Sequence, residues 1–208
     1  MKYYLSSYRL GQEQETLKGW ISQTSGKFAY IPNALDFSNR DDKRYAEHIK
    51  SDMDDLQKLD ATVELLDLKE YFHKSDALRE KLNSLSGIYI SGGNVFILRQ
   101  IMKLSGLDTL IDELKEKPNF IYVGYSAACC VLSPTMKSFA ITDDATDFPF
   151  QEITEQIWEG LGILDFVFQP HYQSDHPESA STDKEIQYCI ENKILFKAYH
   201  DGEVLIIE

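Results

Sequence analysis

Short β-prone runs alternate with stretches of helical spacing along most of this 208-residue chain, and that alternation limits the fold more than any single motif. Lys2–Ser6, Lys27–Ile31, Thr62–Leu66, Gly87–Ile90, Phe120–Val123 and Gly162–Gln169 read as strands. Between them Leu17, Trp20 and Ile21 share one helical face, as do Tyr45, Ile49, Met53 and Leu56, and again Leu78, Leu82 and Leu85. Asn39-Arg-Asp-Asp42 supplies capping side chains for the second of these helices. Further helices are predicted after Asn94, from Leu107 to Lys117 and from Ser181 to Asn192. Strands separated by helices pair in parallel, and a parallel sheet must be covered on both faces. The expected fold is therefore α/β: a three-layer sandwich around a mostly parallel central sheet. Ile194–Tyr199 and Val204–Ile207 are expected to form a closing hairpin around Asp201-Gly202. With no internal repeat, low-complexity tract or linker, residues 1–208 read as a single domain.

Composition excludes several function classes. A net charge of −13 leaves no basic stripe to displace counterions from phosphates, so no nucleic-acid partner is expected. No run approaches the ~20 apolar residues of a membrane span, so no membrane partner is expected. The N-terminal stretch Met1–Arg9 has neither the apolar run nor the cleavage site of a signal peptide. Of the three cysteines, Cys129 and Cys130 are adjacent and Cys189 stands alone, a set without disulfide or metal-site spacing. A reducing, cytoplasmic setting is expected, with no metal or organic cofactor and with the protein a monomer or homodimer.

The stretch from Phe120 to Leu132 carries the strongest chemical suggestion. An apolar strand runs into Gly124-Tyr-Ser-Ala-Ala128 and then into small residues that can begin a helix. That is the pattern of a nucleophile elbow, with Ser126 at the apex and at a helix N-terminus. A buried strand followed by a small-residue helix start would look the same. Serine is a weak nucleophile and needs a base. Of the five histidines, His48 and His73 sit in charged helical surroundings and His176 in a loop. His171, directly after an apolar strand and Pro170, is the first candidate, and His200 the second. Asp201 is the leading candidate for the acid that orients the imidazole, with Asp143 or Asp144 as rivals. Backbone N–H groups of Gly92 or Gly93, together with Ala127, can form an oxyanion hole. Ser91–Asn94, Ser126 and His171 all fall at the carboxyl ends of expected strands, where α/β proteins place their sites. Cys129 and Cys130 read as buried small residues of the helix after the elbow.

These segments resemble the peptidase E family (peptidase family S51). Ser91-Gly-Gly-Asn-Val-Phe-Ile-Leu98 is similar to its Gly-Gly-Asn-Thr-Phe-x-Leu segment, and Gly124-Tyr-Ser-Ala-Ala128 to its Gly-x-Ser-Ala-Gly elbow. Pro170-His-Tyr172 resembles the Pro-His-Tyr/Phe motif, Tyr30-Ile-Pro-Asn-Ala34 an early Phe-Ile-Pro-x-Ala strand, and His200-Asp-Gly202 a late acidic-Gly turn. The resemblance spans most of the chain, in the family's order. It implies a class I glutamine-amidotransferase-like (flavodoxin-like) fold and a Ser–His–acid acyl-enzyme mechanism without cofactor. By motif position Ser126 is the nucleophile, His171 the base, and Gly92 and Ala127 oxyanion donors. Asp201 stands where the family has glutamate, and Asp143 or Asp144 answers to an aspartate between the serine and the histidine. The implied substrate is a small peptide, with dipeptides bearing N-terminal aspartate as the founding case. Three departures stand out: Ala128 for the elbow glycine, Asp201 for glutamate, and Val95 for threonine. The first two motivate the alternative of a non-catalytic small-ligand-binding module on the same fold. An amidotransferase-type glutaminase would ordinarily carry cysteine where this chain has Ser126.

Overall fold

The computed structural model describes residues 1–208. Its main sheet has six strands: β1 (Lys2–Ser6), β2 (Lys27–Ile31), β3 (Thr62–Leu65), β4 (Gly87–Ile90), β5 (Ile121–Tyr125) and β8 (Val204–Ile207). They lie in the order β3-β2-β4-β5-β1-β8. The first five are mutually parallel, and β8 runs antiparallel along the outer edge of β1. Helices α1 (Gln14–Ile21), α2 (Asp42–Gln57), α3 (Ser75–Asn83), α4 (Val95–Ser105) and α5 (Leu107–Lys115) provide the crossovers. The short α6 (Ala127–Cys130) follows β5, and α7 (Ser179–Glu191) follows β6 (Val167–Gln169).

Period-two alternation sorts the strand side chains onto two faces. Tyr4, Tyr30, Val123 and Tyr125 pack with Leu17 and Trp20 of α1 and Leu56 of α2. Tyr3, Leu5, Ile90 and Tyr122 pack with α3, α4 and α5 on the opposite face. This is the expected three-layer, mostly parallel architecture. Helix α4 is buried nearly all round, with Phe96, Ile97, Leu98 and Ile101 fully enclosed. Each such side chain contributes about 1.5–3 kcal/mol, so this helix is a fixed platform for the turn that precedes it. Asp41 caps α2, its side chain accepting from the Lys43 and Arg44 N–H groups at 3.0 Å each. No helix is long and apolar enough to cross a membrane.

The C-terminal part departs from the sequence expectation. The expected hairpin does not form: β7 (Phe196–Ala198) pairs in parallel with β6, as a separate two-stranded sheet. Strand β8 instead takes up the open edge of β1, Tyr4 opposite Ile206. The strand expected over Gly162–Gln169 is real only at its end. The N–H groups of Gly162, Ile163 and Leu164 are used by the carbonyls of Ser133 and Leu132, which draws that backbone out of the ladder. The pairing between β6 and β7 aligns Gln169 with Ala198, so His171 and Asp201, just beyond, emerge side by side.

Candidate active site

Strand β5 ends at Tyr125, and Ser126 turns the chain into α6 with φ 48° and ψ −113°. A non-glycine residue at positive φ is strained by about 1–3 kcal/mol and persists only where its surroundings enforce it. Here the Ser126 N–H donates to the Ser6 carbonyl at 3.3 Å, and its own carbonyl accepts from Cys129 and Cys130 at 2.8 and 2.9 Å. The strand and helix nearly touch: a Cβ on Gly124 would lie 2.7 Å from that of Ala128. The absent side chain at Gly124 thus makes room for the methyl group at Ala128. Cys129 and Cys130 are buried free thiols, as expected.

Behind the elbow lies a polar network that sequence reasoning missed. The Tyr125 hydroxyl donates to the fully buried Asp52 at 2.6 Å, and Tyr30 donates to the same oxygen at 2.8 Å. His48 Nε2 lies 2.6 Å from the Tyr125 hydroxyl, so this histidine is a partner of the elbow strand and not a solvated surface group. Only the apolar periodicity of α2 was visible in sequence; Asp52 and His48, one helical turn apart, were the available signal.

His171 follows β6 at φ 60° and is 2% exposed. Its Nδ1 lies 2.7 Å from Asp201 Oδ1, and its backbone N–H donates to Ser7 Oγ at 2.8 Å. The Ser7 hydroxyl donates in turn to the same Asp201 oxygen at 2.9 Å. The His176 ring stacks on His171, centroids 3.7 Å apart and planes 11° apart. Burial, helped by neighbouring His176, pulls the His171 pKa below its ordinary value, while Asp201 opposes that shift. His200 lies elsewhere, its ring against Tyr172. Neither Asp143 nor Asp144 bonds His171. Asp143 accepts from the Val95 N–H at 2.8 Å at the start of α4, and Asp144 closes a turn onto Thr146. Of the three aspartates it is Asp201 that reaches the imidazole, because pairing of β6 with β7 carries its carboxylate to Nδ1.

Ser126, Gly93, His171 and Glu178 line both a cavity of about 400 Å³ and an adjoining one of about 20 Å³. Ser126 and His171 therefore stand on the same side of the sheet, without a hydrogen bond between them. The Gly92, Gly93 and Ala127 N–H groups make no hydrogen bond within the chain. Gly93 has φ +138°, and a Cβ there would lie 2.4 Å from the Ala34 carbonyl oxygen. His171, His176 and Glu178 bring ligand atoms within 4.8 Å of one another. The two stacked rings hold their lone pairs in parallel planes, a poor arrangement for sharing one metal ion.

The fold and this cluster define a flavodoxin-like α/β protein with a serine at a strained strand-to-helix turn and a carboxylate-held histidine beside it. The chain belongs to peptidase family S51, whose family model matches residues 5–208. It is 31% identical over 119 residues to the uncharacterized peptidase Lmo0363 of Listeria monocytogenes, covering 57% of this chain and 55% of that protein. It is 28% identical over 95 residues to the uncharacterized peptidase PM1590 of Pasteurella multocida, covering 46% of this chain and 44% of that one. The matched stretch thus spans about half the length of these relatives. A crystal structure from Listeria monocytogenes EGD-e, assigned to peptidase E by name alone, shares the fold with TM-score 0.73 and 23% identity, over 100% of this chain and 98% of that one. A peptidase structure from an acI-B1 actinobacterium gives TM-score 0.65 at 17% identity, over 100% and 83% of the two chains.

Proposed function

We propose that the protein is a serine peptidase that cleaves small peptides through an acyl-enzyme. The observation that carries this reading is the shared cavity: Ser126, at its strained turn, and His171, held at Nδ1 by Asp201, line the same space. In the proposed reaction Ser126 Oγ attacks the scissile carbonyl carbon while His171 Nε2 takes the hydroxyl proton. The oxyanion receives the N–H groups of Gly93 and Ala127, which have no partner within the chain. The C–N bond then breaks and His171 returns its proton to the leaving amine. Water, deprotonated by the same imidazole, attacks the ester carbonyl, and the released Oγ regains a proton. Asp201 holds the tautomer with Nδ1 protonated, and Ser7 holds Asp201.

A fluorophosphonate probe is expected to label Ser126 in the wild-type protein and to leave Ser126→Ala unlabelled. Turnover of a dipeptide panel that survives Ser126→Ala would refute the mechanism. The lack of a Ser126–His171 hydrogen bond favours one second reading, a binding module in which the pair no longer aligns. Absence of labelling and turnover, with peptide binding retained, would select that module.

A further inference from the structure

Four of the five arginines in this chain are committed to carboxylates. Arg9 pairs with Asp55 at 3.2 Å, Arg40 with Asp36 and Asp42 at 2.6 and 2.9 Å, Arg79 with Glu113 at 2.7 Å, and Arg99 with Asp108 at 2.9 Å. Arg44 is the exception: among 34 acidic residues its side chain has no ion pair and no hydrogen bond. It lines the cavity of about 400 Å³ that also holds Ser126 and His171. Its charge does not support its own helix either. Arg44 lies in the first turn of the 16-residue α2, where the positive end of the dipole disfavours a cation. The other charged groups around this cavity are engaged elsewhere. Asp41 caps α2, and Glu178 lies 3.9 Å from His171 Nε2 and 3.8 Å from His176 Nδ1. The rings of Tyr8 and Phe37 give the cavity apolar walls, beside which a guanidinium–carboxylate pair is stronger than in open water.

The position of Arg44 relative to the base decides which carboxylate it meets. A leaving fragment begins at His171, which returns a proton to its amine. From His171 the wall of the cavity runs through Tyr8 and Tyr125 to His48, successive ring centroids 6.0, 6.2 and 6.5 Å apart. His48 is tied to the Tyr125 hydroxyl at 2.6 Å, which fixes this face of α2 against the elbow strand. Arg44 stands one helical turn from His48, and the Cβ atoms of such a pair are about 5–6 Å apart. An extended peptide advances about 3.5 Å per residue, so a fragment following this wall reaches the guanidinium within a few residues. We propose that Arg44 is a specificity-determining residue that receives the C-terminal carboxylate of the leaving fragment, which restricts the enzyme to short peptides with a free C-terminus. This role rests on Ser126 being the nucleophile and His171 the base.

Calorimetric titration of Ser126→Ala tests the subsite without requiring catalysis. The ligands are alanyl-phenylalanine, aspartyl-phenylalanine and aspartyl-alanyl-phenylalanine, each as the free acid and as the C-terminal amide. At least one free acid is expected to bind about tenfold tighter than its amide, a change that corresponds to ~1.4 kcal/mol. Adding Arg44→Gln is expected to remove that difference with thermal unfolding unchanged, since the side chain bonds nothing within the chain. Arg44→Lys keeps the charge but not the planar fork and is expected to retain part of it. Equal binding of every acid and its amide, a preference for the acid that survives Arg44→Gln, or no measurable binding at millimolar concentration overturns the proposal. So does a loss confined to the aspartyl peptides and equal for acid and amide, which would place Arg44 on the acyl side. Labelling and turnover by wild type are read separately. Labelled Ser126 with acids and amides cleaved alike leaves the peptidase standing and refutes the subsite. Acid-selective binding with neither labelling nor turnover refutes the peptidase and leaves a carboxylate-binding cavity.

Discussion

The Ser7 hydroxyl donates to Asp201 Oδ1 at 2.9 Å, and the same carboxylate oxygen lies 2.7 Å from His171 Nδ1. Because Ser7 also accepts the His171 backbone N–H, one hydroxyl at the end of β1 positions both partners. Ser7→Ala leaves a buried N–H without its acceptor, a cost of about 1–3 kcal/mol. Thermal unfolding is expected to show that loss, and kcat for a cleaved peptide to fall about tenfold. Ser7→Thr is expected to restore both, and a loss of stability with kcat unchanged would reduce Ser7 to a structural role.

Asp201 and Asp143 separate cleanly by substitution. Asp201→Asn presents His171 Nδ1 with an amide in place of a carboxylate and is expected to lower kcat about 10²–10⁴-fold with the fold intact. Asp143→Asn keeps an acceptor for the Val95 N–H and is expected to change kcat by less than about tenfold. The reverse ranking, measured by initial rates, would move the acid to Asp143.

The pH profile follows from the environment of His171. A base works only when neutral, and burial holds this imidazole below the ordinary histidine value of 6.5. The acid limb of kcat/KM is expected to have its midpoint below pH 6.5, and a midpoint above it would contradict the burial argument. The same shift means that the unfolded chain binds the proton more readily than the native state. The His171 contribution to stability is therefore present above pH 6.5 and is lost as pH falls below that value.

Glu185 has the opposite dependence. Its pKa rises from 4.5 to about 8, so over that window the native state holds a proton that the unfolded chain releases. Its contribution to stability is consequently lost as pH rises from 4.5 through 8. Glu185→Gln is expected to change stability little at pH 5 and to raise it on the order of 1–3 kcal/mol at pH 9. Urea unfolding at the two pH values measures this, and an equal gain at both would dismiss the buried charge.

Gly93 tests the turn beside the elbow. With φ +138° and the Ala34 carbonyl 2.4 Å from an added Cβ, Gly93→Ala is expected to cost about 2–4 kcal/mol, read as a lowered urea midpoint.

Much of the α/β layout was legible because local patterns dictate it. The apolar faces of α1, α2 and α3 follow helical spacing, and the runs at β1, β2 and β4 are continuous and β-prone. Ser126, Gly93 and His171 could be singled out because each lies next to a strand end, a property of the local chain. Tertiary pairing was less legible: β8 chose the edge of β1 over a hairpin with β7, and nothing local distinguishes those partners.

Residue types and their order along the chain thus determined the layered fold and nominated a serine, a histidine and several acids. Only tertiary structure decided that Asp201 reaches His171, that Ser7 from the opposite end of the chain holds them both, and that Glu185 faces a cavity against Ser126. The reason is distance along the chain: a hydrogen bond or a shared cavity depends on which strand edges and helix faces meet, and those meetings are set by long-range packing.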